Sequence, residues 1–511
     1  MSDERRVFSV VGMLPEPGGY AIAKFSRSAR PYQEWAQDLT QEGASRFYEQ
    51  NYFAYGHASI ADLAHVTMVA ENISIVAAVE VLDEQLVDAQ ESSTRYQDFT
   101  RRRYYTPPEI ADSAFAGDYT RICDQLFSAY RTIHRAVVEH FAKAYADQRP
   151  SEVDDDEFRR TIRARAFDVA RYLLPSSTYT GLGYLCSART LERQIARLAS
   201  HPQREMQEIA AELRRATTEP AYNPGALKLG PELDAFLARF SDSDAQAFVA
   251  RAREAVSADA PAAPTLVRYT DPRPYLGTTY ASLRELAAPL LTGVSPDGAR
   301  GVSLVRPKDV RTELAASLLY RVTDLSYDQI LDRLESLPPE RIDGIAAVAF
   351  AARGPHDEPV RETRAGYELI FDLCLDNGAF RDLHRHRNCI QIVKDFTHEY
   401  GYDVPPAVGD ADVVDAFRAA MDEAGELAER IELQMPGVGQ YTLPLAYRRR
   451  ALFKMDMAEL GYIVETRSKP AGHFSYREIS RQMIDEFRRC YPSLAGFIRA
   501  TDASVDGFFE R

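Results

Sequence analysis

The chain is poor in the features that would staple or embed it. Its five cysteines (Cys123, Cys186, Cys374, Cys389 and Cys490) are scattered and show no C-x-x-C spacing, so neither a disulfide framework nor a zinc knuckle is written. Nowhere do eighteen apolar residues follow one another, and the N-terminal segment holding Arg5, Arg6, Pro15 and Pro17 has no apolar run of signal-peptide length. A reducing cytoplasm and no membrane are expected. Basic charge is short as well: 61 Lys and Arg against 76 Asp and Glu give −15, which withholds the cationic field that polymeric nucleic acid requires.

What remains is ordinary globular material, 45% hydrophobic and 27% charged. The 511 residues suffice for about three domains of roughly 150 residues, or two larger ones. Small residues and two prolines from Ser257 to Pro264 leave nothing to bury. This places a linker at 241–264 between domains 1–240 and 265–511. Ahead of it, Gln203 to Ala216 reads as a helix with Met206, Ile209, Ala210 and Leu213 on one face, opened by Pro202.

Each half repeats one order of elements. In the first, Val66 to Glu71 reads as a strand, Ser74 as a cap, and Ile75, Val76, Val79 and Leu82 as the apolar side of a helix. In the second, Tyr367, Leu369, Phe371, Leu373 and Leu375 alternate with polar residues as in a half-buried strand. Asn377 and Gly378 then read as a turn, and a short helix from near Ala379 delivers Arg381, Asp382, Leu383, His384, Arg385, His386 and Arg387. The parallel suggests duplication.

That run concentrates guanidinium groups in an acidic protein, and such forks match phosphate or carboxylate. A solvated basic helix paired to Asp372, Asp376 and Asp382 is the alternative. His384 and His386 lack a carboxylate or thiol at ligand spacing, so no metal is expected. In Glu91-Ser92-Ser93-Thr94-Arg95-Tyr96, Ser93 and Arg95 lie on one side of an extended chain and could reach one anion. The same residues also suit a plain loop. Gly56-His57-Ala58-Ser59 reads as a turn into a helix capped by Ser59 with Asp62 three residues on, and His57 could touch a ligand.

Together these segments resemble the flavin-dependent thymidylate synthases, whose motifs are G-H-x-S-x-x-E-H, R-H-R and S-x-R-Y. Gly56, His57, Ser59 and Asp62 fall on the first motif and Ser93, Arg95 and Tyr96 on the last, but Asp83, Glu84 and Gln85 stand in place of R-H-R. Ala170-Arg171-Tyr172-Leu173-Leu174-Pro175, Ser187-Ala188-Arg189, and Arg197 followed by Gln203-Arg204-Glu205 continue the likeness. The second half keeps Arg385, His386 and Arg387 and has Asp395, Thr397 and His398 for serine, arginine and tyrosine. Further on, Arg467 matches the uracil-contacting arginine, His473 replaces a glutamine, Arg477-Glu478-Ile479 looks like the closing helix, and Asp456 to Ala458 replace asparagine-alanine-arginine. Each half has lost what the other keeps.

The resemblance implies an α/β (α+β) fold of two fused subunits forming a pseudo-dimer, with two chains making a homodimer that acts as a pseudo-tetramer. It implies FAD as cofactor, a dUMP-like nucleotide as substrate, and NADPH and methylenetetrahydrofolate as co-substrates in reductive methylation to dTMP. One composite site per chain would use Arg385, His386, Arg387, His57 and Ser59 for the cofactor and Ser93, Arg95, Arg189, Asp382 and Arg467 for the nucleotide, with Ser93 and Arg467 nearest the chemistry. At the other cleft, Asp83 and Glu84 would repel phosphate. Asp382, or Glu80 in the first half, replaces a glutamine that holds the pyrimidine. A carboxylate suits a base with an exocyclic amine, such as cytosine, better than uracil. A flavoenzyme for another nucleotide and an inactive flavin- or nucleotide-binding homologue therefore stay open.

Overall fold

The computed structural model describes residues 8–26, 32, 39–54, 58–99, 103–240, 242–257, 259–296, 300–305, 310–352, 360–363, 369–455, 457–490, 495–496, 498–502 and 507–510. Helices surround two small antiparallel sheets, so the fold is α+β. In the first half β1 (His65–Ser74), α1 (Ile75–Leu82) and β2 (Val87–Glu91) lead to the long helices α2 (Ala116–Ala144) and α3 (Asp155–Ala170). A 3-10 turn at Arg171–Leu173, β3 (Tyr179–Ser187), α4 (Ala188–Ala199) and α5 (Arg204–Thr218) complete it.

The second half adds β4 (Gly301–Val305) and then repeats the order: β5 (Leu369–Asp376), α6 (Asn377–Leu383), β6 (Ile390–Val393), α7 (Val414–Glu432), a 3-10 turn at Gly439–Tyr441, β7 (Arg448–Met455), α8 (Met457–Arg467) and α9 (Phe474–Cys490). The sheets run β1-β3-β2 and β4-β5-β7-β6, so the third strand of each repeat sits between the other two. Among the described residues no helix is long and apolar enough to cross a membrane.

The halves meet where two Tyr-x-Leu-Pro segments cross. Ser176 N donates to Leu443 O (2.9 Å) and Leu445 N to Leu174 O (3.0 Å), while Ser177 N donates to Tyr441 O (3.1 Å) and Ala446 N to Tyr172 O (3.1 Å). Each bond has its counterpart with the halves exchanged, around the Pro175–Pro444 bridge. Helix starts match too. Ser74 Oγ caps α1 at Ala77 N (2.9 Å) and Asp376 Oδ1 caps α6 at Ala379 N (2.7 Å). Ser74 is held by Glu205 of α5 (2.7 Å) and Asp376 by Ser475 of α9, so acid and hydroxyl have traded places.

One apolar core is common to both halves. It joins Tyr119, Ile122 and Leu126 of α2 with Phe417, Met421 and Leu427 of α7. The helix reading around Met206, Ile209, Ala210 and Leu213 holds, with all four buried, although Gln203 rather than Pro202 immediately precedes the helix.

Other expectations are corrected. β5 is buried at every residue, because one side faces a core containing Ile370 and the other a core containing Phe371, Leu373 and Leu375. Its inward carboxylate, Asp372, accepts from Arg450 (2.9 and 3.0 Å), Tyr320 OH (2.9 Å) and Tyr327 N (3.0 Å), so polar alternation here marks satisfied buried charge. Asn377 and Gly378 are helical, since the cap lies one residue earlier at Asp376. The stretch at 257–264 is not idle: Ala263 N donates to Thr217 O (3.0 Å) and Ala263 and Leu266 enter the common core. Residues 241–264 also contain the helix Ser243–Ala255. Ser59 is exposed within a 3-10 turn, and Asp62 binds Arg189 (3.0 Å) instead of closing a capping box.

Two measurements follow from this packing. Phe417→Ala should cost about 3–5 kcal/mol. Because Phe417 serves the common core, both halves should still lose structure in one denaturant transition, and separate transitions would contradict the sharing. Burial lowers the imidazoles of His134, His201, His384 and His473, and takes His386 down to about 3. Below pH 6.5 the unfolded chain then binds more protons than the folded one, so stability should fall as pH is lowered from 6.5. Denaturation midpoints unchanged between about pH 7 and 5 would refute it.

Candidate functional site

The R-H-R segment is presented by a short helix whose start and exit are both fixed. Gly378, in its first turn, lies against Arg171 of the other half: a Cβ there would come 3.3 Å from Arg171 Nη2. Beyond the helix, Gln391 Nε2 (2.6 Å) and Cys389 Sγ (3.1 Å) both donate to the His386 carbonyl. The loop is therefore pinned before its side chains bind anything.

Strand β2 of the first half faces it. Arg381 pairs with Glu91, and Arg385 Nη1 lies 3.5 Å from Gln90 Oε1. Burial, and Arg385 beside it, make the charge on Arg387 costly, and Arg387 Nε is buried without a hydrogen-bond partner among the described residues. Arg467, at the end of α8, donates from Nε to His386 Nε2 (2.8 Å). Among the described residues no carboxylate stands within ion-pair distance of Arg385, Arg387 or Arg467. Three guanidinium groups are thus left to an anion.

At the centre is Asp382, paired with Arg171 at 3.2 Å. Burial would raise its carboxyl, but Arg171, Arg95, Arg385 and Arg467 outweigh burial and hold it below the usual range. Arg95 and Arg385, one from each half, therefore act on the same group. Their motifs converge.

Arg95 does not, however, offer a free fork. It is 7% exposed, gives Nε (2.7 Å) and Nη2 (3.2 Å) to Asp168, Nη1 to Tyr476 OH (2.9 Å) and Nη2 to Ala471 O (3.3 Å). Ser93 Oγ accepts from Arg95 N (3.2 Å), so the two residues brace each other and do not reach out together. The Tyr476 ring lies between Arg95 and Arg467, 5.6 and 5.5 Å from their guanidinium carbons. Tyr96 is exposed. His473 donates from Nε2 to Asp168 O (3.0 Å) while its Nδ1 accepts from Ser475 N (3.2 Å), which fixes its tautomer.

Other expected residues lie elsewhere. Arg189 pairs with Asp62 at the end of β3 opposite to that paired with Glu91, because the chain leaves the sheet there into α4. Ser59 belongs to that side as well, and His57 and Asp456 are outside the described residues. Two cavities, about 160 Å³ between Ile122, Leu126 and Ala420 and about 320 Å³ beside Leu304, Asp328 and Cys490, do not touch the cluster. Among the described residues no group of His, Cys, Asp and Glu is placed to hold a metal.

At the matching position in the first half, the acids are not bare. Asp83 pairs with Arg361, and Glu84 (3.0 Å) and Glu80 (3.8 Å) share Arg197, with the His201 ring 3.9 Å from Glu80. Asp395, which stands where Ser93 does, faces Arg321 (3.7 Å) and Arg284 (3.7 Å). The acids here already take part in ion pairs, so the bare carboxylates expected at this position are not what the structure shows.

Asp168, Arg171 and Tyr476 were not singled out as site residues from sequence. Only Arg171 had a signal, its place beside the Tyr-x-Leu-Pro that recurs at 441–444.

Comparison with known proteins bears on this arrangement. The family model described as "Thymidylate synthase complementing protein" matches residues 16–221 and 325–493. A UPF0159 protein of Chlamydia muridarum is 28% identical over 475 residues, covering 91% of this chain and 83% of the relative. One from Thermoplasma acidophilum is 25% identical over 521 residues, covering 95% of each. The flavin-dependent thymidylate synthase of Clostridium tetani is 24% identical over 211 residues, 41% of this chain and 80% of that one. A crystal structure of the Helicobacter pylori flavin-dependent thymidylate synthase with FAD and dUMP aligns over 40% of this chain and 89% of that one, at 16% identity and a TM-score of 0.24. With one family model matching in two segments that together span most of its length, the chain belongs to the thymidylate synthase complementing protein family and has a duplicated architecture.

Proposed function

We propose that the two halves form a pseudo-dimer with one working cleft, which binds FAD and a pyrimidine nucleotide and carries out a reductive methylation of the thymidylate synthase type, dUMP to dTMP. The observation that carries this reading is the set of guanidinium groups on Arg385, Arg387 and Arg467, which have no carboxylate within ion-pair distance among the described residues, with Arg385 3.5 Å from Gln90 on the strand of the other half. The residues fit an anionic cofactor or nucleotide, because buried donors at Arg387 Nε, Arg381 Nε and Arg171 Nε lack acceptors among the described residues. Arg385 and Arg387 would hold its phosphates.

FAD, when bound, supplies hydride to the pyrimidine after reduction by NADPH, with methylenetetrahydrofolate as the carbon source. The chain's own part is positional and electrostatic. Among the described residues Arg467 spends only Nε, on His386, so both of its terminal amino groups remain to bind the pyrimidine and stabilise charge developing on the ring. Arg95 and Ser93 brace the wall of the cleft, and Tyr476 fills the space between Arg95 and Arg467. The opposite cleft, stitched by its ion pairs, takes no ligand, giving one site per chain.

A second reading concerns the base. Asp382 stays ionised at the centre of the cluster, and a carboxylate accepts hydrogen bonds but donates none. That favours a base with an exocyclic amine, such as that of a cytosine nucleotide.

Purified full-length protein should carry one flavin per chain, read from its visible absorbance, and should oxidise NADPH faster when dUMP and methylenetetrahydrofolate are added. Stimulation by dCMP in place of dUMP would select the second reading. Colourless protein that neither binds added FAD nor responds to nucleotide would overturn both and leave a regulatory or vestigial binder. Arg385→Ala should weaken FAD retention about ten- to a hundredfold, as expected for loss of a charge-assisted hydrogen bond of about 1.5–3 kcal/mol. Unchanged retention would remove Arg385 from the site.

A further inference from the structure

His386 is expected from the family resemblance to stand by the flavin, but its ring is only 5% exposed. The ring is fixed on every side that the structure describes. Its own carbonyl is held by Gln391 (2.6 Å) and Cys389 (3.1 Å), and Tyr462 meets the ring edge-on with centroids 5.5 Å apart. Glu459 Oε1 lies 3.7 Å from Nδ1. On the other side Nε2 is 2.8 Å from Arg467 Nε.

The direction of that last bond is not open. A guanidinium Nε–H is always a donor, so His386 Nε2 must present a lone pair and the proton must sit on Nδ1, toward Glu459. Burial beside Arg467 and Arg387 keeps the ring neutral, in agreement with that geometry.

We propose that His386 is a positioning residue: by accepting from Arg467 Nε it fixes the plane and direction of the Arg467 fork, and Glu459 selects the tautomer that lets it do so. Arg467 ends α8 and has no other hydrogen bond among the described residues. Without the imidazole its guanidinium could turn about its last side-chain bonds, and ordering it would then be charged to ligand binding. The inference rests on the reading that Arg467 meets the nucleotide, but its first test does not.

In ligand-free full-length protein labelled with ¹⁵N-histidine and ¹⁵N-arginine, the His386 resonances, assigned by their loss in His386→Gln, should show the neutral Nδ1–H tautomer at pH 7. The Arg467 Nε–H signal should be protected from exchange, remain so in His386→Gln, whose side-chain oxygen can replace Nε2, and lose protection in His386→Leu and His386→Asn. An Nε2–H tautomer, a protonated ring, or an Arg467 signal indifferent to His386→Leu would each overturn the proposal. With dUMP as the probe, His386→Leu should weaken binding about five- to twentyfold and His386→Gln by less than about twofold. In an Arg467→Ala background His386→Leu should add nothing, whereas additive losses would show that the imidazole acts independently of the arginine. Absence of dUMP binding by the wild-type chain would count against the proposed function and leave the tautomer measurement to decide this point.

Discussion

The crossing of the two Tyr-x-Leu-Pro segments is the constraint on which the rest depends. Four backbone hydrogen bonds lock residues 172–177 against 441–446, and each segment runs directly into the central strand of its own sheet. Once that crossing is made, the end of α6 has to face β2 and the end of α1 has to face β6. The clefts are consequences of the crossing, and so is the shared core of α2 and α7 beneath it. Side chains on either cleft can change without disturbing the bonds that create it, because those bonds are all main chain.

Charge has been redistributed between the two clefts in opposite senses. In one, guanidinium groups exceed the carboxylates available to them; in the other, Asp83 is paired with Arg361, and Glu84 and Glu80 share Arg197. A buried pair that loses one partner is costly, whereas a complete pair near a surface is close to neutral. The paired cluster therefore needs all of its members, and the other keeps three cations with no carboxylate at ion-pair distance among the described residues. The trade of acid and hydroxyl between Ser74–Glu205 and Asp376–Ser475 follows the same rule at the helix starts: identities move, and the hydrogen bond stays.

Much of the scaffold was legible in the sequence. The cap at Ser74, the apolar face of α5 and the repetition of elements could be read from local pattern and order, because those features depend on neighbours in the chain. What could not be read depends on partners from far away. The burial of β5 was hidden because Asp372 mimics a solvent-facing residue while being satisfied by Arg450 and two tyrosines. The capture of Arg95 by Asp168 was hidden too, since the two are 73 residues apart and nothing local marks the pair. Arg189 was drawn to the site by its family position, and the structure pairs it with Asp62 instead.

The ion pairs between the halves have a bearing on how such a chain finds its own shape. Asp83 reaches across to Arg361, Arg381 to Glu91, and Arg171 to Asp382, so every one of these contacts joins unlike halves. Two copies of either half brought together would lack one member of each of these pairs. Self-pairing is thereby disfavoured and cross-pairing rewarded. The correct combination of halves is thus marked by complementary charge as well as by covalent order.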